Sequence, residues 1–299
     1  MKILNIGSVN IDKNYHVEHF VSEGKTSKAL SFHQSWGGKG LNQSIAMARA
    51  GATVWHAGFV GEDGVEIIEL MRAEGICLDY LIRTQGPTGH AIIQVNREGQ
   101  NCILIHGGSN DLVTHEFIDE VLTHFEKGDF LVLQNEVPNV DYAIVQAHRK
   151  GMHIFLNPSP IEHDDDISRI DAVDCIILNE IEGEILTGVR DSERMLEAMR
   201  DKYPDVDVVL TLGRQGVLYA GGEGKASHGC YDVPVVDTTA AGDTFAGYFI
   251  VSIGMGKSTA EALEDASIAS NLCVSRLGAA VAIPRRHEIN EFRQQEKGV

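Results

Sequence analysis

The 299-residue sequence is poor in the features that mark several common functional classes. Its five cysteines, at 77, 102, 175, 230 and 273, are odd in number and form no CxxC pair, so they read as reduced thiols in a cytoplasmic protein rather than a disulfide framework. Thirteen histidines include no HxxxH or HExxH, and His33, His106, His115, His124, His148 and His163 stand singly, which argues against a histidine metal centre. No apolar run is long enough to span a bilayer. Met1 to Gly7 enters a strand pattern directly, giving an expectation of neither membrane anchor nor secretory leader. Basic residues are scarce: 25 Lys and Arg against 43 Asp and Glu leave a formal charge of −18, which repels nucleic acid and anionic membranes. Prolines number 7 and hydrophobic residues reach 43%, the composition of one large packed core with a small appendage rather than of a disordered chain. No GxGxxG follows the first strand, so a nicotinamide-dependent dehydrogenase lacks its phosphate turn. Gly256-Lys-Ser258 has Val251 where a Walker loop needs its first glycine, and the acidic run 162–166 reads as a solvated loop and helix cap.

What is present concentrates in Asp237-Thr-Thr-Ala-Ala-Gly-Asp-Thr-Phe245, between an expected strand at 231–236 and an apolar helix starting near Ala241. Small residues at a helix N-terminus let main-chain N–H groups approach an anion, and the helix dipole favours negative charge there. Asp243 lies in the first turn, where a carboxylate can take the proton of an attacking hydroxyl while those donors hold phosphoryl oxygens. Taken alone, Asp243 reads more readily as a helix cap, and the rest of the chain has to overturn that.

Lys2 to Ile6 is an apolar strand followed by Gly7-Ser-Val-Asn-Ile-Asp12, and Asn10 and Asp12, two apart on extended chain, suit a pair of sugar hydroxyls or a loop-stabilising Asx pair. Residues 13–34 and 88–106 alternate in character and read as antiparallel pairs forming one appended sheet, able to close over a substrate or meet a second subunit. Between them Trp36-Gly-Gly-Lys-Gly-Leu-Asn-Gln43 makes an anion- or hydroxyl-binding turn before a helix at 44–50. A strand at 52–60 and a helix at 63–74 follow, and from about 111 strands and helices alternate, the rhythm of a parallel sheet covered on both faces. Glu136, Asn157, Asn179, Thr211 and Gly213 each fall just after a strand, lining one sheet edge with Asn10, Asp12 and Asp243.

These segments together resemble the ribokinase, or PfkB, family of carbohydrate kinases. The resemblance is carried by Gly7-Ser-Val-Asn-Ile-Asp12, Gly37-Gly-Lys-Gly-Leu-Asn42, Gln134-Asn-Glu136, Asn157-Pro-Ser-Pro160, Asn179-Glu180 with Leu186-Thr-Gly188, Thr211-Leu-Gly-Arg-Gln-Gly216 and Asp237 to Asp243, in the family's order. It implies an α/β fold, a three-layer αβα sandwich with a mostly parallel central sheet, whose core comprises 1–12, 35–86 and 108–299 and whose β-sheet lid comprises 13–34 and 87–107. It further implies ATP- and Mg²⁺-dependent phosphorylation of a primary hydroxyl of ribose or a related sugar. Asp243 is then the base, with the amides of Ala241, Gly242 and Asp243 as anion hole. Asn10, Asp12, Gly38, Lys39, Asn42 and Glu136 would hold the sugar. Asn179, Thr211, Gly213, Arg214 and Gly216 would face the nucleotide, and Asn271 is the candidate for the base contact, since Ser267 stands where the family often has His or Asn. Asp237 and Thr239, with carbonyls near Cys273, Arg276 and Gly278, resemble a potassium site, although Ala282 replaces a side-chain hydroxyl there. The resemblance also implies a homodimer through the lid. A nucleoside, fructose or a 2-keto-3-deoxy sugar acid as acceptor, or a non-catalytic sugar-binding regulator, are the alternatives that these residues leave open.

Overall fold

The computed structural model describes residues 2–163 and 167–297, so 164–166 of the acidic run lie outside it. Its strands are β1 (Ile3–Ile6), β2 (Asn10–His16), β3 (Ser31–Gly37), β4 (Val54–Val60), β5 (Cys77–Arg83), β6 (Gly89–Val95), β7 (Asn101–His106), β8 (Phe130–Gln134), β9 (His153–Asn157), β10 (Cys175–Asn179), β11 (Asp207–Thr211), β12 (Val217–Gly221) and β13 (Gly224–His228). Nine of them form the large sheet, ordered β13-β12-β11-β10-β9-β8-β1-β4-β5. From β11 to β5 every pairing is parallel, and the β12–β13 hairpin closes one edge antiparallel. The remaining four form a separate sheet, β3-β2-β6-β7.

Strands buried on both faces read as unbroken apolar runs, and β1 and β8 do so with one polar exception each. Ile3 faces the layer of α1 (Lys39–Arg49), α2 (Val65–Ala73), α7 (Ala241–Gly254), α8 (Thr259–Val274) and α9 (Arg286–Lys297), whereas Leu4 and Ile6 face the other layer. That second layer holds α3 (His115–Leu122), α4 (Val140–Lys150), α5 (Glu180–Thr187) and α6 (Ser192–Lys202). The exceptions are Asn5 and Gln134, both fully buried. Helix α7 is buried from Asp243 to Ser252, as expected of a helix apolar on all sides.

Chain order places β4 and β5 on one side of β1 and β8 to β11 on the other, so the strand order reverses between β1 and β8. Open α/β sheets form a ligand crevice at the carboxyl ends of strands at such a reversal. The turns after Ile6 and after Gln134 therefore open into one cleft, which the small sheet adjoins because β2 leaves β1 after three residues, Gly7 to Val9.

Several local expectations change. Residues 231–236 form no strand: Pro234 has no N–H to donate, and among the described residues the main-chain bond this stretch donates is Val236 N–H to Val274 O at 2.8 Å. Helix α1 starts at Lys39, well before 44, because Gly38 takes φ 94° and turns the chain directly into helix. Within 13–34 only the ends pair, β2 with β3, while 17–30 adds no strand. The two antiparallel pairs of the small sheet join through a parallel pairing of β2 with β6. Asn10 and Asp12 thus stand at the root of that sheet rather than on β1.

Candidate active site

The two turns at the strand reversal are tied together beside the start of α1. Glu136, just past β8, accepts the Ser8 hydroxyl and the Lys39 main-chain N–H (2.8 Å), tying the end of β1, the end of β8 and the start of α1 into one knot. Burial pushes the Glu136 carboxyl above its usual range despite the Lys39 charge. Lys39 shows the reverse balance: burial disfavours its ammonium, but Asp243, Glu136 and Glu182 together outweigh that and raise it, leaving a firm cation in the cleft. Gly40 is obligatory here, since a Cβ would lie 2.4 Å from the Ser8 N.

Asp243 enters from the first turn of α7 and is nearly buried. Its Oδ2 accepts Asn42 Nδ2 and its Oδ1 accepts Gln43 Nε2, each at 3.0 Å. Asn42 Oδ1 is buried with no partner among the described residues, a free acceptor beside the carboxylate. Ala240 holds a left-handed conformation (φ 60°), and Ala241 N–H turns back to Thr238 O at 3.2 Å. Among the described residues no bond is formed by the N–H of Gly242 or Asp243, as at the start of any helix. Of the three amides expected to face an anion, two, those of Gly242 and Asp243, are thus unbonded, while that of Ala241 is taken by Thr238 O. These amides, Lys39, Glu182, Asn179, Thr211 and Asp243 line a cleft of about 250 Å³.

Of the sugar-side candidates Lys39 lines this cleft, Asn42 donates to Asp243 and Glu136 accepts the Lys39 N–H, while Asn10, Asp12 and Gly38 lie outside its lining. Asn10 Oδ1 accepts Asn110 Nδ2 at 2.8 Å, and Asn110 also bonds both the N–H and the C=O of Val9. Asp12 lies against Gly37, where any side chain would strike its carboxylate. Burial, and then the charge of Glu136, push Asp12 up to about 7.

The nucleotide-side candidates divide. Asn179 and Thr211 line the cleft, although Asn179 Oδ1 caps α5 by accepting from Ile181 and Glu182, and Glu182 closes a reciprocal capping box. Gly213, Arg214 and Gly216 form an exposed-to-buried turn beyond Thr211, in which Gly216 (φ 95°) lies under His228 O. Asn271 is buried in α8 with Nδ2 bonded to Ser267 O at 2.7 Å, and is not part of the cleft lining.

The cation-side candidates gather around Asp237. Its Oδ1 accepts the Thr239 N–H and hydroxyl, and its Oδ2 accepts Gly278 N–H, bonds that hold it below the usual carboxylate range against partial burial. Cys273 Sγ reaches Thr239 O at 3.7 Å, while the Arg276 guanidinium pairs with Glu288 and so offers only its main chain.

Gln43, Asn110 and Glu182 were not among the sequence candidates. Each is a single amide or carboxylate with no spacing rule of its own. The capping-box pattern Asn179-x-x-Glu182 was the one readable signal.

Comparison with known proteins follows the same lines. A family model described as pfkB family carbohydrate kinase matches residues 1–286. A ribokinase of Staphylococcus aureus (strain COL) is 34% identical, the alignment covering 97% of this chain and 99% of that protein. The crystal structure of a ribokinase from Thermotoga maritima superposes with a TM-score of 0.87 at 32% identity, covering 98% of this chain and 99% of that one. An Arabidopsis thaliana ribokinase complexed with ribose and ATP superposes with a TM-score of 0.82 at 28% identity over 97% of each chain.

Proposed function

The chain belongs to the pfkB family of carbohydrate kinases and is an ATP-dependent sugar kinase, and from that premise we propose that it transfers the γ-phosphate of ATP to the primary hydroxyl of ribose or a closely related pentose, with Asp243 as general base. The observation that carries this reading is one helix start supplying both parts of the chemistry. The Asp243 carboxylate is fixed by Asn42 and Gln43, and the open amides of Gly242 and Asp243 lie directly beside it. In this reading a hydroxyl bonded to Asp243 and to the free Asn42 Oδ1 loses its proton as it attacks, while the two amides and Lys39 hold the charge of the transferring group. Asn10, Asp12, Gly38 and Glu136 orient the remaining hydroxyls. The nucleotide lies along Asn179, Thr211 and the 213–216 turn.

No group of three His, Cys, Asp or Glu side chains that could hold a metal occurs among the described residues. The donor set fits Mg²⁺ brought in on ATP phosphate oxygens, with Glu182 as the cleft carboxylate available to its water shell, and the ion would neutralise phosphate charge. A monovalent cation such as K⁺ fits the oxygen-rich junction of the 237–239 loop with the 273–278 turn, where it would stiffen the anion-hole loop. On edge strand β7 the side chains of Ile103, Leu104 and Ile105 are at least half exposed, and we assign that strand to pairing with a second copy.

Two outcomes are expected in solution. ADP release measured over ribose, 2-deoxyribose, fructose, a 2-keto-3-deoxy sugar acid and adenosine gives the highest kcat/KM with a pentose. A nucleoside as best acceptor would overturn the substrate assignment. With the Asp12 carboxyl pushed up to about 7 by burial and then by Glu136, and sugar hydroxyls needing it ionised as acceptor, the KM for sugar falls as pH rises from 6 to 8, by up to roughly tenfold. Asp12→Asn flattens that profile. A wild-type KM constant across the range would remove Asp12 from sugar binding.

A further inference from the structure

Asn5 and Gln134 are amides in the middle of an apolar sheet, and a buried polar group there costs stability unless it is bonded. They are bonded to each other and, through Gln43, linked to Asp243. Gln134 Nε2 donates to Asn5 Oδ1 (3.0 Å) and to Gln43 Oε1 (2.8 Å), and Gln43 Nε2 donates to Asp243 Oδ1 (3.0 Å) and Asn157 Oδ1 (3.1 Å). At the far end Asn5 Nδ2 donates to Gly40 O and to Ser44 Oγ, both at 2.8 Å, and Ser44 meets His56 Nδ1 at 2.9 Å. With its oxygen held by Gln134, Gln43 has only its nitrogen to offer, and both amide protons have acceptors. The direction of the bond to Asp243 is therefore set from the sheet beneath.

Helix packing brings the two partners into range. Gly247 lies one turn beyond Asp243 in α7, and a Cβ there would fall 2.5 Å from Ala46 Cβ and 3.0 Å from Met47 N in α1. The missing side chain lets α7 approach α1 closely enough for Asn42 and Gln43 to reach the carboxylate.

We propose that Gln43 is a positioning residue for phosphoryl transfer: it fixes the Asp243 carboxylate in one rotamer and transmits to it the rigidity of the Asn5–Gln134 amide chain. The proposal rests on Asp243 being the base. Misplacement of a reacting group by about 1 Å costs roughly 10²-fold in rate. Gln43→Met therefore lowers kcat by roughly 10- to 100-fold, with the KM for sugar within about threefold of wild type. Gln43→Glu sets two carboxylates against each other, which disfavours ionising both, so the kcat of this variant rises with pH over a more alkaline range than that of wild type. Gly247→Ala, which pushes the helices apart, lowers kcat in the same sense.

The test is a double-mutant cycle of Gln43→Met with Asp243→Asn, read as kcat, together with the kcat–pH profile of Gln43→Glu. Positioning predicts that Gln43→Met has almost no further effect once Asp243 is Asn, and that the Gln43→Glu profile shifts to alkaline pH. Additive losses, an unshifted profile or a Gln43→Met kcat within twofold of wild type would each overturn the proposal. If instead Asp243→Asn alone keeps wild-type kcat, the assignment of the base fails, whatever Gln43 does.

Discussion

Replacement of Asp243 by Asn lowers kcat by roughly 10²- to 10⁴-fold while sugar affinity and melting temperature stay close to wild type. The substitution keeps the shape of the side chain and removes only its ability to accept a proton. Two donors face Asp243, Asn42 Nδ2 and Gln43 Nε2, so an asparagine amide brings one donor against a donor. Rotating the Asn42 amide relieves that conflict, because its Oδ1 has no other partner to lose. The fold thus survives and the loss falls on chemistry. Steady-state kcat measured beside calorimetric sugar binding checks this, and a kcat within tenfold of wild type would contradict it.

Asp265→Ala destabilises the protein by roughly 3 kcal/mol, the lower end of what breaking a buried ion pair costs, and lowers the Tm by roughly 5 °C. Asp265 is fully buried in α8 and accepts Ser252 Oγ from α7, Lys257 Nζ from the connection and Arg286 NH1 from α9, each at 2.6 Å, with Arg293 on its other oxygen. One carboxylate therefore pins three helices, and its loss leaves three cations facing each other. The figure lies low in the range because those cations keep between 20% and 32% side-chain exposure and can turn toward water. Burial alone would raise the Asp265 carboxyl, but the bonds from Lys257, Ser252 and Arg286 hold it far below the usual range. A folded-state pKa below the unfolded value contributes stability above about pH 4, lost only as the solution becomes strongly acidic. Thermal melts of wild type and variant should hence differ by a constant amount at neutral pH and converge in acid. No Asp265 partner lines the cleft, so kcat at 25 °C stays within about twofold. A melt unchanged at pH 7 would show the cluster to be energetically idle.

The parts of this molecule that sequence made readable share one physical cause. Strands such as β8 and β10 are apolar on both faces because helices cover both, so their carboxyl ends, beside Glu136 and at Asn179, were legible. The glycines around Lys39 were legible because close main-chain approach there tolerates nothing larger. Contacts between distant segments left no such mark. Nothing in the isolated residues Asn5, Gln43 and Gln134 states that they touch, and the carboxylate at 265 gathers cations from 257, 286 and 293 without any repeat. The expected strand at 231–236 failed because its alternation of apolar residues continued across Pro234 with no neighbour to pair with. Ala241 was assigned as a donor from its place at a helix start, yet the left-handed Ala240 turns that amide back onto Thr238.

The most direct test of the central claim is the structure of the product formed from Mg-ATP and ribose, read by phosphorus-coupled carbon NMR. Splitting at the terminal CH₂ carbon is the predicted result, with a stoichiometric amount of ADP. Phosphate on a ring-carbon hydroxyl, or ADP formed without any phosphorylated sugar, would contradict it.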